Sequence, residues 1–273
     1  MKDIKTILVI GASGKTGSAV YNRLLKHLPN DKLKAASRSS STQFDWNDAT
    51  TWESALQDVS HVYLTYYPDL AIEASAAHIK AFCDLAKLMT VKHITLLSGR
   101  GEPAAQTCEG ILIDSGLSWN IVRASWFSQN FSDGFFKGFI DAGHIALPVK
   151  NVKEPFIDIE DIADVVVESL LNPEKQNKLF EVTGPELLSF DDIAAQFTNI
   201  LGREIKFSTV SKTDFNNMML AQDIPEDVLS LLNFLFTEVL DGRNEYVTHG
   251  VEKALGRPAT SFKEYIANNK TRF

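Results

Sequence analysis

Near the start of the chain four aliphatic residues, Ile7-Leu8-Val9-Ile10, run straight into a turn with glycines at 11, 14 and 17. An unbroken apolar run of this length reads as a strand buried on both faces, the habit of parallel sheets. The stretch also contains Gly14-Lys15-Thr16, the ending of a P-loop. A P-loop needs a glycine five residues before the one that precedes the lysine, so that a wide loop opens around phosphates. That position is Val9, in mid-strand, where no wide loop can begin. A dinucleotide turn fits without adjustment. Gly11 ends the strand tightly, Gly14 lets backbone amides approach a pyrophosphate, and Gly17 lets the following helix pack closely on the sheet. The helix, expected over 15–28, aims its N-terminal amides and dipole at the phosphates. Lys15 and Thr16 are then loop residues near the phosphates, with no part in hydrolysis.

Further aliphatic and aromatic runs predict strands at 32–37, 42–46, 61–67, 93–98 and 118–123, with helical stretches at 51–59, 70–89 and 104–115 between them. Strands alternating with helices imply right-handed crossovers and a doubly wound parallel sheet, an α/β fold of Rossmann type. Ligands of such sheets sit at the carboxyl ends of the strands. After Arg123 the pattern changes to aromatic- and glycine-rich stretches and a short HIALPV segment, then returns to helix over 155–171 and to strand at 178–184. From Pro185 the chain reads as mostly helical, with Ser189 as an N-cap and Gly202 as a C-terminal stop. The expected division is a dinucleotide-binding domain over 1–184, of which 126–150 contributes to a substrate pocket. A smaller, mainly helical substrate domain over 185–273 is expected to pack over the strand ends.

The 273 residues carry a formal net charge of −8, which argues against nucleic acid as a partner because phosphate neutralisation needs basic surface. Cys83 and Cys108 stand without metal-ligand or disulfide spacing and read as reduced apolar fillers. No apolar stretch is long enough to span a membrane, and the start lacks the long apolar core and cleavage site of a signal peptide. The expectation is a cytoplasmic protein with a small-molecule partner, no metal and no membrane.

The residues just after each strand are the ones that meet a ligand. Arg38 follows the second strand about 20 residues past the last glycine. An acid there would suit the ribose hydroxyl of NAD, whereas arginine suits the 2′-phosphate of NADP. The alternative is a solvated surface arginine. Ser37 and Ser39 offer hydroxyls beside it, and Asp45, after the third strand, either accepts from an adenine amino group or is a turn residue. Tyr66 and Tyr67 follow the fourth strand and Ser98 the fifth, flanking the expected nicotinamide position; buried tyrosines are also common as core. Ser98 either donates to a substrate carbonyl or caps the next segment. Asp158, Asp161 and Asp164 fit a helix N-terminus, where acids favour the dipole, and read as structural. The segment 226–240 is apolar nearly all round and therefore buried on most sides. It either packs plainly or lines a hydrophobic pocket or subunit contact, with Phe234 or Phe236 beside Trp126 and Phe127.

The stretches IGASGKTG, SRSS, FDWND, GLSWNIVRASWFSQNF, PFIDIEDIADV, FEVTGPELLSFDDIAAQF and LGRPATSFKEYI run in order over almost the whole chain. Together they resemble the NmrA-like group of atypical short-chain dehydrogenase/reductases. That group includes NAD(P)H-dependent quinone and azo-dye reductases, reductases of ergot-alkaloid iminium intermediates, and NADP-sensing regulators. The resemblance implies cofactor contacts at Gly11, Ser13, Gly14, Lys15, Thr16, Gly17 and Arg38, and at the turn after the fourth strand, Thr65 included. It implies a pocket near Trp126, Phe127 and Asn130. Ala124 departs from the proline common in relatives, which should loosen that turn slightly.

The wider superfamily carries Tyr-x-x-x-Lys on the helix after the fifth strand, the tyrosine giving a proton and the lysine lowering its pKa. Here that segment reads GRGEPAAQTCEGILIDSG, with neither residue, and Glu109 is expected to be packed or bonded locally. The expected function is NADP(H)-preferring reduction of a quinone, iminium or azo-like acceptor. Such acceptors need little acid catalysis, with Tyr66 and Ser98 as the nearest hydroxyls. The rival expectation is a cofactor-sensing regulator that binds a protein partner and turns over nothing.

Overall fold

The computed structural model describes residues 5–273. The start of the chain, read above for signal-peptide character, falls largely on residues 1–4 and lies outside them.

The elements follow in the order that the aliphatic runs predict. First come β1 (Ile7–Ile10), α1 (Lys15–Leu24), β2 (Leu33–Ser37) and β3 (Thr42–Gln43). Next are α2 (Thr50–Leu56), β4 (His61–Leu64), α3 (Ser75–Leu88), β5 (His93–Gly99), α4 (Pro103–Asp114) and β6 (Ser118–Ala124). Then come α5 (Lys137–Ala142), β7 (His144–Leu147), β8 (Lys153–Glu154), α6 (Ile159–Leu171) and β9 (Lys178–Val182). The last are β10 (Leu188–Ser189), α7 (Phe190–Leu201), β11 (Lys206–Thr209), α8 (Lys212–Leu220), α9 (Glu226–Phe234), α10 (Gly250–Leu255) and α11 (Phe262–Asn268).

Seven strands form one parallel sheet in the order β3-β2-β1-β4-β5-β6-β9. This is the doubly wound α/β sheet expected, and its order reverses at β1, which pairs β2 on one side and β4 on the other. All four side chains of β1 are buried, as the aliphatic run demands. Elsewhere β7 pairs β11 and β8 pairs β10.

The molecule divides into two compact units that are interleaved in sequence. One holds residues 1–124, 159–182 and 249–258; the other holds 125–158, 183–248 and 259–273. The sequence reading drew a single boundary at 184, whereas the chain passes from one unit to the other five times. Each unit has its own core. Leu8, Val62, Ile94 and Phe82 lie in that of the first, and Phe131, Phe197, Phe236 and Tyr265 in that of the second.

Several element ends differ from expectation, most of them where a single polar bond or turn intervenes. α1 stops at Leu24, four residues early. β3 stops at Gln43 because Asp45 starts a turn: its Oδ1 accepts from Asn47 N at 3.0 Å and its carbonyl from Asp48 N and Trp52 Nε1. β4 stops at Leu64, where the Thr65 hydroxyl donates to Ile10 O at 3.2 Å and leaves Tyr66 and Tyr67 in the following loop. α3 begins at Ser75, whose hydroxyl donates to Leu70 O and holds 70–74 in a turn. α6 begins at Ile159, because Phe156–Asp158 is extended, with Ile157 N bonded to Trp126 O. β9 ends at Val182, two residues short of the expected Gly184. Ser189 caps α7 in a reciprocal capping box with Asp192, and Gly202 ends the helix in the left-handed region at φ 72°, as read from sequence.

Candidate functional site

The glycine turn has the build of a phosphate cradle. Gly11 takes φ +73°, and a Cβ there would fall 2.5 Å from Thr65 Oγ1. A Cβ on Gly17 would fall 2.1 Å from the carbonyl oxygen of Gly11, so the helix is pressed against the turn itself more closely than any side chain allows. Gly14 N donates to Gly11 O at 2.8 Å, and Gly14 is the extended N-cap of α1. The first turn of α1 carries no acid that would compete for an anion. Ser13, Gly14 and Lys15 are exposed, while Thr16 is buried.

At the end of β2, Ser37 is buried and its hydroxyl accepts from the amides of Ser39 and Ser40, closing the turn. Ser37 is thus occupied locally, whereas Arg38 and Ser39 are exposed. Among the described residues Arg38 makes no ion pair; its guanidinium lies 4.8 Å from the ring centroid of Tyr67. Asp45 is half-buried, with Oδ1 engaged by the Asn47 amide.

The hydroxyls considered as proton donors lie in different settings. Tyr66 Oη is 2.7 Å from Nδ1 of His78, its ring packs 4.7 Å from that of Trp46, and burial pushes its pKa up. Ser98 is buried and donates to Glu109 Oε1 at 2.6 Å. Glu109, on α4, also accepts from Arg123 Nε at 2.9 Å and Nη2 at 2.5 Å. Arg123 Nη1 lies 3.5 Å from Glu181, which accepts from Arg100 Nε at 2.8 Å. Alternating charges on α4, β6 and β9, joined by Arg100 just past β5, therefore form one network, and the Ser98 proton is committed to it.

Sequence reasoning missed Asp69 and Glu102, in the loops after β4 and β5. Burial and the neighbouring Asp69 push Glu102 up to about 9, so it keeps its proton at neutral pH and shares it in a hydrogen bond with Asp69. Nothing in the spacing of 69 and 102 joins them; the pairing exists only once β4 and β5 lie side by side. His78 was missed for the same reason. Of the three aspartates of the 158–164 stretch, Asp158 precedes α6 and the other two sit in its first turns, all with side-chain partners. Asp161 and Asp164 bind Arg257, Asp164 also binds Arg23, and Asp158 accepts from Gln129.

In the second unit Trp126 heads an aromatic group. Its ring centroid lies 6.0 Å from that of Phe136 in near-parallel stacking and 5.6 Å from that of Phe236. Phe236, not Phe234, meets Trp126: the backbone widens into a π turn over Leu235–Val239 directly after Phe234, and Phe236 is buried where Phe234 is half-buried. Phe127 bridges to Ile157, and the backbone of Asn130 closes the turn through Phe127 O and Phe136 N. Ala124 stays within β6, paired to Val182, with its carbonyl accepting from Arg100 N. Among the described residues no group of His, Cys, Asp and Glu has the makings of a metal site.

Comparison with known proteins agrees with this fold. Residues 108–268 match the family model described as the NmrA-like family. The chain is 31% identical to agroclavine dehydrogenase of Claviceps fusiformis, over 97% of each chain. It is 28% identical to NAD(P)H azoreductase of Xenophilus azovorans, over 98% of this chain and 99% of that one. Among solved structures, an NADPH-dependent quinone oxidoreductase from Escherichia coli, complexed with NADPH, superposes with a TM-score of 0.83 at 21% identity, over 97% of this chain and 99% of that one. On the family match and the full-length likeness together, the chain belongs to the NmrA-like family.

Proposed function

We propose that the protein is an NADPH-dependent reductase that delivers hydride to a small electrophilic acceptor, a quinone or an iminium or azo-like compound, without a Tyr-x-x-x-Lys couple. Relatives named NAD(P)H azoreductase and agroclavine dehydrogenase support an NAD(P)H-dependent oxidoreductase as the general class. The turn of Gly11, Ser13, Gly14, Lys15, Thr16 and Gly17 suits the pyrophosphate: the missing Cβ at Gly17 lets α1 start hard against the turn, and no acid lies in its first turn to repel an anion. Arg38 suits a 2′-phosphate, with Asp45 and Thr65 at the neighbouring strand ends. When bound, the reduced nicotinamide supplies a hydride. The aromatic group of Trp126, Phe127 and Phe236 suits a flat, conjugated acceptor, with Asn130 in the same stretch and Phe234 two residues before Phe236.

The observation that carries the reading is the network on α4. Where the wider superfamily has an acid–base couple, Glu109 is clamped by Arg123 and takes the Ser98 proton. A ketone would need a strong proton donor, because a free alkoxide is a poor product. A quinone spreads the incoming charge over two conjugated oxygens, and an iminium carbon is neutralised by the hydride itself. Tyr66, beside His78, is the hydroxyl that remains.

The test is NADPH consumption by the purified protein with menadione, an azo dye, a cyclic iminium salt and cyclohexanone. Turnover is expected with the conjugated acceptors and negligible turnover with the ketone, with only a modest loss in Tyr66→Phe or Ser98→Ala. Arg38→Asp should reverse the preference for NADPH over NADH, a charge-assisted contact being worth about 1–3 kcal/mol. Tight NADPH binding without turnover of any acceptor, together with a cofactor-dependent protein complex, would make the protein a sensor instead.

A further inference from the structure

Tyr67 is 66% exposed, so burial does not hold its ring where it stands. What lies against it is Arg38, whose guanidinium carbon is 4.8 Å from the ring centroid. The two residues leave different strands. Arg38 directly follows β2, Tyr67 lies three positions past β4, and β2 and β4 pair with opposite edges of β1. Strands on either side of a third stand about 10 Å apart. The contact between these two side chains therefore spans the end of β1, from which the glycine turn leaves.

The chemistry of the pair suits an anion. A cation over an aromatic ring offers its face to the π-system. The five N–H donors of a guanidinium lie in its own plane, so ring and phosphate do not compete for them. An arginine already held over a ring also has less rotamer freedom to lose when it grips a ligand. Arg100 and Arg123 are committed to carboxylates, whereas Arg38, among the described residues, has no ion pair. We infer that Tyr67 is a positioning residue for the 2′-phosphate of NADP(H): its ring holds Arg38 by the face, leaves the N–H edge for the phosphate, and so sets the preference for the phosphorylated cofactor. This rests on the NADP(H) reading above, and it moves Tyr67 from beside the nicotinamide, where the sequence reading put it, to the adenosine end of the cofactor.

The experiment is calorimetric titration of the full-length protein and of Y67F, Y67L, R38A and R38A/Y67L with NADPH, NADH and adenosine 2′,5′-bisphosphate. Both residues are exposed, so the variants should melt with the native protein. Y67L is expected to weaken NADPH and the bisphosphate about 3- to 10-fold while leaving NADH within about 2-fold. Y67F, which keeps the ring, should bind as the native protein does. In the R38A background Y67L should cost NADPH nothing further. Equal losses for NADPH and NADH, an undiminished Y67L loss without Arg38, or native affinities in Y67L would each overturn the inference alone. A native protein that binds neither dinucleotide would instead bring down the cofactor reading itself.

Discussion

The carboxyl of Glu102 lies so close to Gly99 that a Cβ at 99 would fall 2.4 Å from its Oε1, and Asp69 accepts its proton. Burial is the main reason that the proton stays, with the Asp69 charge second. The consequence for stability has a definite sign. The folded chain holds this proton up to about pH 9, whereas an unfolded glutamate releases it near its ordinary 4.5. The native state therefore binds the extra proton, and stability is present in full below the ordinary carboxyl range and lost as pH rises towards 9. Glu102→Gln keeps the donor to Asp69 and removes the titration. Urea midpoints between about pH 5 and about pH 9 should fall in the native protein and flatten in the variant; parallel curves would show that Glu102 ionises freely. A glutamate just before a proline at a helix start looks ordinary in sequence. Its environment comes from a loop 33 residues earlier, which is why this pair does not show in the sequence.

At the scale of elements, the interior of each strand of the seven-stranded sheet was legible and its ends were not, while the short β8, β10 and β11 outside that sheet went unread. Aliphatic runs fixed β1, β4, β5 and β6, because burial on both faces leaves no other use for them. The ends depend on single polar bonds, such as Asp45 turning the chain after β3 or Thr65 reaching Ile10, which compete with the ladder in ways that composition does not reveal. The opposite ends of β4 and β5 carry His61 and His93, with ring centroids 5.6 Å apart. His93 lies between the hydroxyls of Ser118 and Thr95, at 3.1 and 3.0 Å, a setting that suits a neutral imidazole. Burial, with the Lys5 and Lys92 charges second, pushes His61 down to about 4; burial, with His61 and Lys5 second, pushes His93 down to about 3. Here the sign is reversed. An unfolded histidine takes up a proton near 6.5 that the folded sheet refuses, so stability present above that pH is lost as pH falls through 4 and then 3. The double variant His61→Asn/His93→Asn should show a shallower acid limb in chemical denaturation, whatever its stability at neutral pH. An unchanged limb would assign acid sensitivity to other groups.

For the whole molecule, the interleaving of the two units has a mechanical consequence for any attempt to cut it. The sequence suggests a clean break after Gly184, since the βα alternation stops there. Yet α10 belongs to the first unit, 66 residues beyond that point. Gly250 is packed so tightly on β9 that a Cβ would meet Glu181 O at 2.0 Å, and Arg257 holds both Asp161 and Asp164 of α6 at 2.6 Å. The Asp161 side chain is 1% exposed, so without Arg257 it becomes a buried charge with one partner fewer. Removing one member of a buried ion pair costs about 3–5 kcal/mol, and the half-exposed Arg257 places this pair at the low end of that range. That is a large share of the about 5–15 kcal/mol that holds an ordinary domain together. A fragment of residues 1–184 also keeps 125–158 while losing the aromatic partners of that stretch, Phe197, Phe236 and Phe262 among them. We therefore expect the fragment to lack a cooperative thermal transition and to bind no NADPH. Full-length Arg257→Ala should fold and bind NADPH but melt at least several degrees lower, on the scaling of about 2–4 °C per kcal/mol for chains of this size. A fragment 1–184 that melts cooperatively and binds the cofactor would show that α10 and its arginine are dispensable, and that the boundary read from sequence is the physical one.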